Sequence, residues 1–435
     1  MSDDLRDFLR RMADESTPSR TEPLPPMLRR AARRRALSAT VVGLVIALVG
    51  YGAFAGVRAA NRPTPPPVAS GSQTCSAWTT IPTPDPERED LDAGLASVVA
   101  FSASDAWAAG YSRVRGEGGK SSPLVLHWDG SSWARVDVPD PFGNEGQLLD
   151  IAGAAPDDVW AIGVGNDALH WNGSTWRAVP LADPGTEYWH FQSLSAVAPD
   201  DVWAAGNAAT GHSSETLIEH WDGVRWRVVD QQSFTPDPKT GDPYAGLNGI
   251  DARDGGAWAV GQVENVAPAG ESNTLALAET AAGWKRIATP DAPAPDGKPY
   301  SHLLSVSEAG PGDVWAVGIA ASTYGIFGAG DRALIEHLKG DGSLVADTWP
   351  ADSRLVSVVA RSADEVWAVG STGVPGSFTP LVMRWNGATW ENTTVDSSGS
   401  AGLSDVAVSP SGDLWAVGSK DGDRSRTFAL RCVPG

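Results

Sequence analysis

Hydrophobic and polar residues alternate along the chain after residue 75, in short segments separated by Gly, Asp, Asn and Pro. Residues 95–102 (LASVVAFS) and 403–410 (LSDVAVSP) show the period of two that is typical of a β-strand with one buried face. Asp-Gly and Asn-Gly pairs follow several of these segments and favour tight hairpin turns. No helical period of 3.6 residues interrupts the pattern, which therefore predicts an all-β domain over residues 75–435.

One hexapeptide recurs seven times in this region, each time with the pattern of a buried strand. The copies are DAWAAG (105–110), DVWAIG (158–163), DVWAAG (201–206), GAWAVG (256–261), DVWAVG (313–318), EVWAVG (365–370) and DLWAVG (413–418). An alternating strand precedes each copy and one or two further strands follow it. Four strands per repeat and seven repeats predict a seven-bladed β-propeller.

The two ends of the domain complement each other. The last repeat stops at its third strand, RTFALRC (426–432), whereas residues 78–82 (WTTIP) match the fourth-strand pattern of the other repeats. We therefore expect the seventh blade to combine both ends of the domain, which would close the ring by strand exchange and remove an open sheet edge.

Both cysteines of the chain fall at this predicted seam. Cys75 precedes the borrowed strand and Cys432 ends the strand with which it should pair. In an oxidising compartment this arrangement predicts a Cys75–Cys432 disulfide. The alternative is two unlinked buried thiols.

Residues 36–57 are 22 uncharged, mostly apolar residues, enough to span a bilayer core of about 30 Å as a helix. Five arginines precede them within residues 29–35, which predicts a cytoplasmic N-terminus and an extracytoplasmic propeller. Two other interpretations are a signal peptide cleaved near residues 53–55 (AFA) and a buried core helix. Residues 58–74, rich in Pro and Ser, are predicted to be a linker.

Residues 1–35 form the predicted cytoplasmic tail. Leu5, Phe8, Leu9 and Met12 recur at helical spacing and predict a short amphipathic helix. This tail resembles the N-terminal tails of actinobacterial membrane proteins, including some anti-sigma-type regulators, and the resemblance implies a cytoplasmic partner. The alternative is a solvated or membrane-associated tail.

The repeats resemble those of bacterial kelch-type and Asp-box-type propellers. Residues 411–415 (SGDLW) carry the Asp-box pattern in part, and Gly255-Gly256 is one example of the Gly-Gly pair typical of kelch repeats. The resemblance covers residues 75–435. It implies only a fold and no activity, because propellers include enzymes, ligand-binding proteins and scaffolds alike.

Charge narrows the range of partners. Residues 63–435 contain 22 basic and 47 acidic side chains, a net charge of −25. A surface this acidic disfavours nucleic acid as a partner of the large domain.

The sequence shows none of the usual catalytic or metal-binding motifs, and we predict no catalytic residues, no metal site and no cofactor. Histidines at one repeat position are expected to be structural: His127, His170, His220 and His337. Six of the seven hexapeptides have an acidic residue two positions before the Trp, which is expected to cap a turn: Asp105, Asp158, Asp201, Asp313, Glu365 and Asp413. Paired carboxylates of a glycan hydrolase are not identifiable among so many acidic residues.

The long connections between second and third strands, and those between repeats, are predicted to form one face of the propeller. We predict ligand-binding residues there because polar aromatics cluster in these connections: Tyr188, Trp189, His190, Tyr244, Tyr300, His302, Tyr324 and Phe327. In the alternative interpretation, these side chains pack the loops or plug the ring. The sequence thus favours a monomeric, non-catalytic binding module for a protein or a cell-wall polysaccharide, over a transmembrane regulator or a glycan hydrolase.

Overall fold

A computed structural model describes residues 75–434, except 76, 87, 117–118, 144, 211–212, 233–243, 266–270, 291–299, 321–329, 340–343, 375, 394, 396 and 398. The predicted tail, membrane segment and linker lie outside the described residues. Within the described part, every regular element is a strand, and no helix has the length and apolar character needed to cross a bilayer. The prediction of an all-β domain is confirmed.

The strands form four-stranded antiparallel units, numbered here in chain order. Unit 1 contains β2 (Leu91–Ser102), β3 (Asp105–Val114), β4 (Ser121–Trp128) and β5 (Trp133–Val136). Unit 2 contains β6 (Leu148–Ala155), β7 (Asp158–Gly163), β8 (Asp167–Trp171) and β9 (Trp176–Pro180). Unit 3 contains β10 (Tyr188–Ala198), β11 (Asp201–Thr210), β12 (Ser213–Trp221) and β13 (Trp226–Gln232). Unit 4 contains β14 (Tyr244–Arg253), β15 (Gly256–Asn265), β16 (Glu271–Thr280) and β17 (Gly283–Ile287).

The remaining units follow the same order. Unit 5 contains β18 (Ser301–Gly310), β19 (Asp313–Ala320), β20 (Arg332–Leu338) and β21 (Leu344–Ala351). Unit 6 contains β22 (Ser353–Ser362), β23 (Glu365–Thr372), β24 (Thr379–Trp385) and β25 (Trp390–Thr393). Unit 7 contains β26 (Ala401–Val408), β27 (Leu414–Lys420), β28 (Arg426–Cys432) and, from the start of the domain, β1 (Thr79–Thr80).

The units are arranged around a central channel. Their first strands contact one another in the order β2, β6, β10, β14, β18, β22 and β26, and β26 contacts β2 again. Units 3 and 4 are also joined by one parallel pair, Ser214 with Tyr244. First strands on the inside and fourth strands on the outside make the described domain a β-propeller.

Each hexapeptide forms the second strand of its unit and is buried because neighbouring units cover both of its faces. All six residues of β7 are buried, for example. The bulky Trp and Val side chains and the small Ala residues fill the space between units. Strong burial without alternation is expected of a strand that is covered on both sides.

A tight approach of two strands explains the glycine that ends each hexapeptide. In unit 1, the register of β2 shifts between Leu95 and Ser97, next to the pair formed by Leu95 and Gly110. A Cβ atom on Gly110 would overlap the carbonyl oxygen of Gly94. The same overlap recurs at Gly163, Gly206, Gly261, Gly318, Gly370 and Gly418. Glycine is therefore required wherever this bulge brings a first-strand carbonyl onto the second strand.

Tryptophans connect each unit to the next. Trp160 of β7 packs against Trp221 and Trp226 of unit 3, with ring centroids 4.9 and 5.5 Å apart. The same arrangement joins the last unit to the first, because Trp415 lies 5.0 Å from both Trp128 and Trp133. The T-shaped and tilted ring pairs are geometries that aromatic side chains favour.

The disulfide predicted between Cys75 and Cys432 is confirmed, with Cα atoms 5.8 Å apart. It lies in the core between units 6 and 7, where Trp78 packs against Trp367 at 5.9 Å. Next to it, β1 pairs with β28 through Thr79 and Thr80. Cys432 thus occupies the third-strand position that Trp128 and Trp221 hold in other units.

The repeated histidines bind the acidic residue two positions before the hexapeptide Trp. In unit 2, His170 Nε2 lies 2.6 Å from Asp158 Oδ1, and the imidazole stacks on Trp160 at 4.0 Å. The same contact joins Asp105 to His127, Asp201 to His220 and Asp313 to His337. The histidines are structural, as predicted, but the carboxylate binds an imidazole across the strands, where the sequence suggested a turn cap.

Candidate binding site

The two faces of the propeller differ in construction. Connections between first and second strands and between third and fourth strands meet on one face, the turn face. In these turns, Asp129 accepts hydrogen bonds from the N–H groups of Ser131 and Ser132 at 2.8 and 2.9 Å. The Ser131 hydroxyl, with these N–H groups, lowers the pKa of Asp129 to about 2. Asn172, Asp222 and Asn386 accept the same N–H bonds in units 2, 3 and 6, so the turn face is locally rigid.

The opposite face, the loop face, carries the connections between units and those between second and third strands. Two predicted binding residues are exposed on it: Tyr188 is 72% exposed and Tyr244 is 38% exposed. Each is the first residue of its strand, β10 and β14, and these two strands contact each other. The structure thus brings two tyrosines to neighbouring positions on the loop face.

Trp189 and His190 follow Tyr188 on β10 and are half-buried. Trp189 packs against the core between units 2 and 3. Burial lowers the pKa of His190, which favours a neutral imidazole at physiological pH.

Tyr300 and His302 are each only 6% exposed, although they were predicted to bind a ligand. Their rings lie 4.9 Å apart, and Tyr300 packs against Ile319. His302 Nε2 lies 3.4 Å from Glu264 Oε1, and burial lowers the pKa of His302 to about 4. In this structure the two side chains pack beneath the loop face, as the alternative interpretation expected. Tyr324 and Phe327 lie outside the described residues.

A cavity of about 330 Å³ that the sequence did not suggest lies between units 6 and 7. Arg354, 6% exposed, lines it: its Nε donates to Ser371 Oγ at 2.7 Å and its guanidinium lies 4.0 Å from the centre of the Phe378 ring. Burial lowers the pKa of Arg354 and the charge of Asp331 opposes that shift. The only sign of this cavity in the sequence is that Arg354 stands at a repeat position that otherwise holds Gly, Gln or His.

A second cavity, of about 410 Å³, lies on the outer side of unit 7. Lys420 and Arg426 line it together with Asp85, and Arg426 Nη1 donates to Asp85 Oδ2 at 2.9 Å. Both cavities have the size of small-molecule sites, and both are remote in sequence from the predicted aromatic residues.

The central channel contains a pair of carboxylates, Asp150 and Asp405, in a polar space of about 110 Å³. Burial, with the charge of Asp405, raises the pKa of Asp150 to about 7. A perturbed pair in the channel would be one sign of a glycan hydrolase. This space is smaller than the roughly 300 Å³ of the smallest usual ligand pockets. Among the described residues, no group of three or more His, Cys, Asp or Glu is arranged to hold a metal ion.

Comparison with solved structures identifies similar folds. YCF48 from Cyanidioschyzon merolae superposes with a TM-score of 0.51 at 15% identity, over 82% of this chain and 99% of that one. The WD40 repeats of RRP9 give 0.52 at 10% identity, over 82% and 98% of the two chains. U3-55K gives 0.53 at 10% identity, over 83% and 100%. These likenesses show the shared propeller fold alone. No family model and no curated protein matches the sequence.

Proposed function

We propose that this chain is a membrane-anchored, extracytoplasmic binding module, built on a seven-bladed propeller whose seventh blade combines both ends of the domain. The contacts of β26 with β2 and the pairing of β1 with β28 support the closed ring. The disulfide supports an oxidising compartment. The anchor and the topology follow from residues 29–57 of the sequence, and the kelch-type or Asp-box-type relationship stays a prediction.

The exposed tyrosines Tyr188 and Tyr244 carry the proposal of binding. Tyrosine is enriched in protein interfaces because it offers apolar area and a polar tip at low entropic cost. A large aromatic side chain with 72% of its surface exposed, as in Tyr188, contributes little to the stability of the propeller itself. We therefore propose that the loop face binds a protein partner around units 3 and 4.

The position of Cys75 shows on which face the described domain begins. Cys432 ends β28 at the turn face, and the disulfide holds Cys75 beside it. The described domain therefore begins on the turn face, opposite the loop face that is proposed to bind a partner.

Site-specific photo-crosslinking in the native cell tests the proposal. A photoreactive residue replaces Tyr188 or Tyr244, and a third variant carries it at Val224, which is 81% exposed on the turn face. We expect one dominant protein adduct from positions 188 and 244 and none from position 224. Equal adducts at all three positions would contradict a loop-face site. Retention on purified cell wall without a protein adduct would indicate a glycan ligand instead.

Alanine variants test the energetic role of the same side chains. We expect Tyr188→Ala and Tyr244→Ala each to weaken partner binding by roughly tenfold or more, as interface anchors do. The urea midpoint of unfolding should stay unchanged in Tyr188→Ala, and Val224→Ala should change neither quantity. Loss of stability together with loss of binding would show that the tyrosines are packing residues.

A further inference from the structure

The residue after the bulge of each first strand contacts the neighbouring unit wherever it carries a side chain. Asp405 Oδ2 of unit 7 accepts a hydrogen bond from the N–H of Val98 in unit 1, at 2.8 Å. Asp150 Oδ2 of unit 2 accepts one from the N–H of Leu194 in unit 3, at 2.7 Å. The seven residues at this position form what we call the channel ring: Ser97, Asp150, Ser193, Gly249, Ser305, Ser357 and Asp405.

One hydroxyl in the channel ring lies between two carboxylates. Ser97 Oγ is 2.6 Å from Asp150 Oδ1 and 2.8 Å from Asp405 Oδ2. The Ser357 hydroxyl donates a hydrogen bond to the other oxygen of Asp405, Oδ1, at 2.6 Å. Ser357 Oγ also accepts a hydrogen bond from the N–H of Val406 at 3.2 Å. The hydroxyl of Ser97 has one hydrogen to donate.

If both carboxylates are ionised, there are fewer hydroxyl hydrogens than oxygen–oxygen contacts. Three oxygen–oxygen contacts join Asp150, Ser97, Asp405 and Ser357, but the two hydroxyls supply only two hydrogens. The third contact would then place an anionic oxygen against a lone pair at hydrogen-bond distance. A single additional proton on either carboxyl group satisfies all three contacts.

The N–H of Ile151 and the Ser193 hydroxyl also donate to Asp150, but no cation faces the pair in the described part of the channel. All seven first strands contribute to the described lining of the channel, and its only ionisable side chains are Asp150 and Asp405. No Lys, Arg or His is among the lining residues. A like-charged pair without a cation, in a narrow space, favours one protonated and one ionised carboxyl group.

We propose that Asp150 and Asp405 share one proton through Ser97, and that this proton makes closure of the ring sensitive to pH. The shared proton links unit 2 to unit 7 through unit 1, across the seam where the two ends of the domain meet. When the proton leaves to bulk water, two negative charges face a single hydroxyl, and the inner wall is weakened at this point.

The pKa shifts of Asp150 and Asp405 make the stability of the folded state depend on pH. Burial raises the pKa of both carboxyl groups, and that of Asp150 reaches about 7, above the value near 3.9 of an unfolded chain. The folded state therefore holds an extra proton between about pH 4 and pH 7. The contribution of this proton to stability is complete at low pH and is lost as the pH rises through about 7.

The test compares Asp150→Asn with the wild type in the purified full-length chain, by urea unfolding from pH 5 to pH 9. The neutral amide needs no shared proton. We expect the ratio of the wild-type to the variant unfolding constant to rise by roughly tenfold per pH unit up to about pH 7, and to level off above it.

Asp251→Asn is the matched control. Asp251 also accepts an N–H of the next unit, from Glu308 at 2.7 Å, but it is paired with Arg253 at 3.1 Å. Its substitution should lower stability equally at every pH. A ratio for Asp150→Asn that stays constant with pH, or an equal slope for Asp251→Asn, would overturn the proposal.

Infrared spectroscopy gives an independent measurement, also if Asp150→Asn fails to fold. The measurement uses the Glu219→Gln variant, which lacks the other buried carboxyl group with a pKa of about 7. This variant should show the carbonyl band of a protonated carboxyl group at pH 6 and lose it by pH 9, and adding Asp405→Asn should remove the band. A Glu219→Gln protein without the band at pH 6, or with a band that Asp405→Asn leaves unchanged, would contradict the proposal.

Discussion

Single residues in this propeller matter most where neighbouring strands leave no room or where a polar atom has no water. Gly206 lies against the carbonyl oxygen of His190, so the absence of one carbon atom permits the bulge. Glu219 is fully buried: its Oε2 accepts the N–H of Ala182 at 3.0 Å, while Oε1 has no hydrogen-bond partner. A substitution that adds a Cβ at Gly206, or removes the charge of Glu219, should therefore change the stability of the propeller.

Gly206→Ala should destabilise the propeller. The new Cβ overlaps backbone atoms of β10, which cannot move without breaking the pairing of β10 with β11. We expect a loss of about 2–3 kcal/mol in the free energy of unfolding, measured with urea. Gly310→Ala is the control, because a Cβ at Gly310 meets no atom within 4 Å and should have little effect.

Glu219→Gln should stabilise the protein at alkaline pH. Burial raises the pKa of Glu219 to about 7, above the unfolded value near 4.3, so stability falls as the pH rises between these values. The variant should therefore exceed the wild type by about 3–4 kcal/mol at pH 8 and equal it at pH 4.

Glu215→Gln provides the comparison for this carboxylate. Glu215 is half-buried on the same strand and accepts a hydrogen bond from Gln231 at 2.7 Å. Its substitution should give the same difference at both pH values. If Glu219→Gln shows no pH-dependent gain, the buried carboxylate is ionised and solvated.

At the level of elements, each unit depends on contacts between its own strands and on tryptophans that reach the next unit. In four units the acidic residue two positions before the Trp is paired with a histidine of the third strand. Unit 4 has Gly256 and Ala278 in place of both, and in unit 7 Asp413 is paired with Arg431 at 2.8 Å. In unit 6, Glu365 is paired with Arg361.

A double-mutant cycle on Asp158 and His170 should reveal the coupling within one such pair. We expect Asp158→Asn and His170→Ala each to cost about 1–2 kcal/mol, and the double variant to cost about 1 kcal/mol less than their sum. Urea unfolding gives the free energies. Asp158→Asn combined with His220→Ala is the control, because the two residues belong to different units and their effects should add.

At the level of the whole molecule, the ring depends on contacts between residues that are far apart in sequence. The disulfide joins residues separated by 357 positions, and the short strand β1 pairs with β28 beside it. Trp415 packing on Trp128 and Trp133 joins the same two ends through side chains. A disulfide, a strand pair and aromatic contacts therefore join the two ends of the domain at unit 7.

Removing the disulfide should lower the stability of the whole domain. A crosslink that closes so long a loop restricts the unfolded chain and contributes roughly 3–5 kcal/mol in the chain-entropy description. We expect Cys75→Ser with Cys432→Ser to lower the midpoint of thermal unfolding, and a reductant to lower that of the wild type alone. Equal midpoints in all samples would show that the strand and Trp contacts suffice.

Local pattern was enough to predict the all-β domain and its repeats. Alternation and a repeated hexapeptide are properties of neighbouring residues, and the incomplete seventh repeat showed which ends should meet. The same reasoning placed Cys75 beside Cys432, because two complementary half-repeats allow only one pairing. Tyr188 and Tyr244, which the sequence predicts to bind a ligand because they are polar aromatics in long connections, are exposed in the structure.

Only the tertiary structure decided which of the other side chains are buried and which charges meet. Tyr300 and His302 looked like Tyr188 and His190 in sequence, but packing against β19 and Glu264 buried them. Asp150 and Asp405 are 255 positions apart in a chain with 53 acidic residues, so no sequence pattern could pair them. They meet because the ring brings every first strand to one axis, and the distance around a closed ring is not encoded in any local segment.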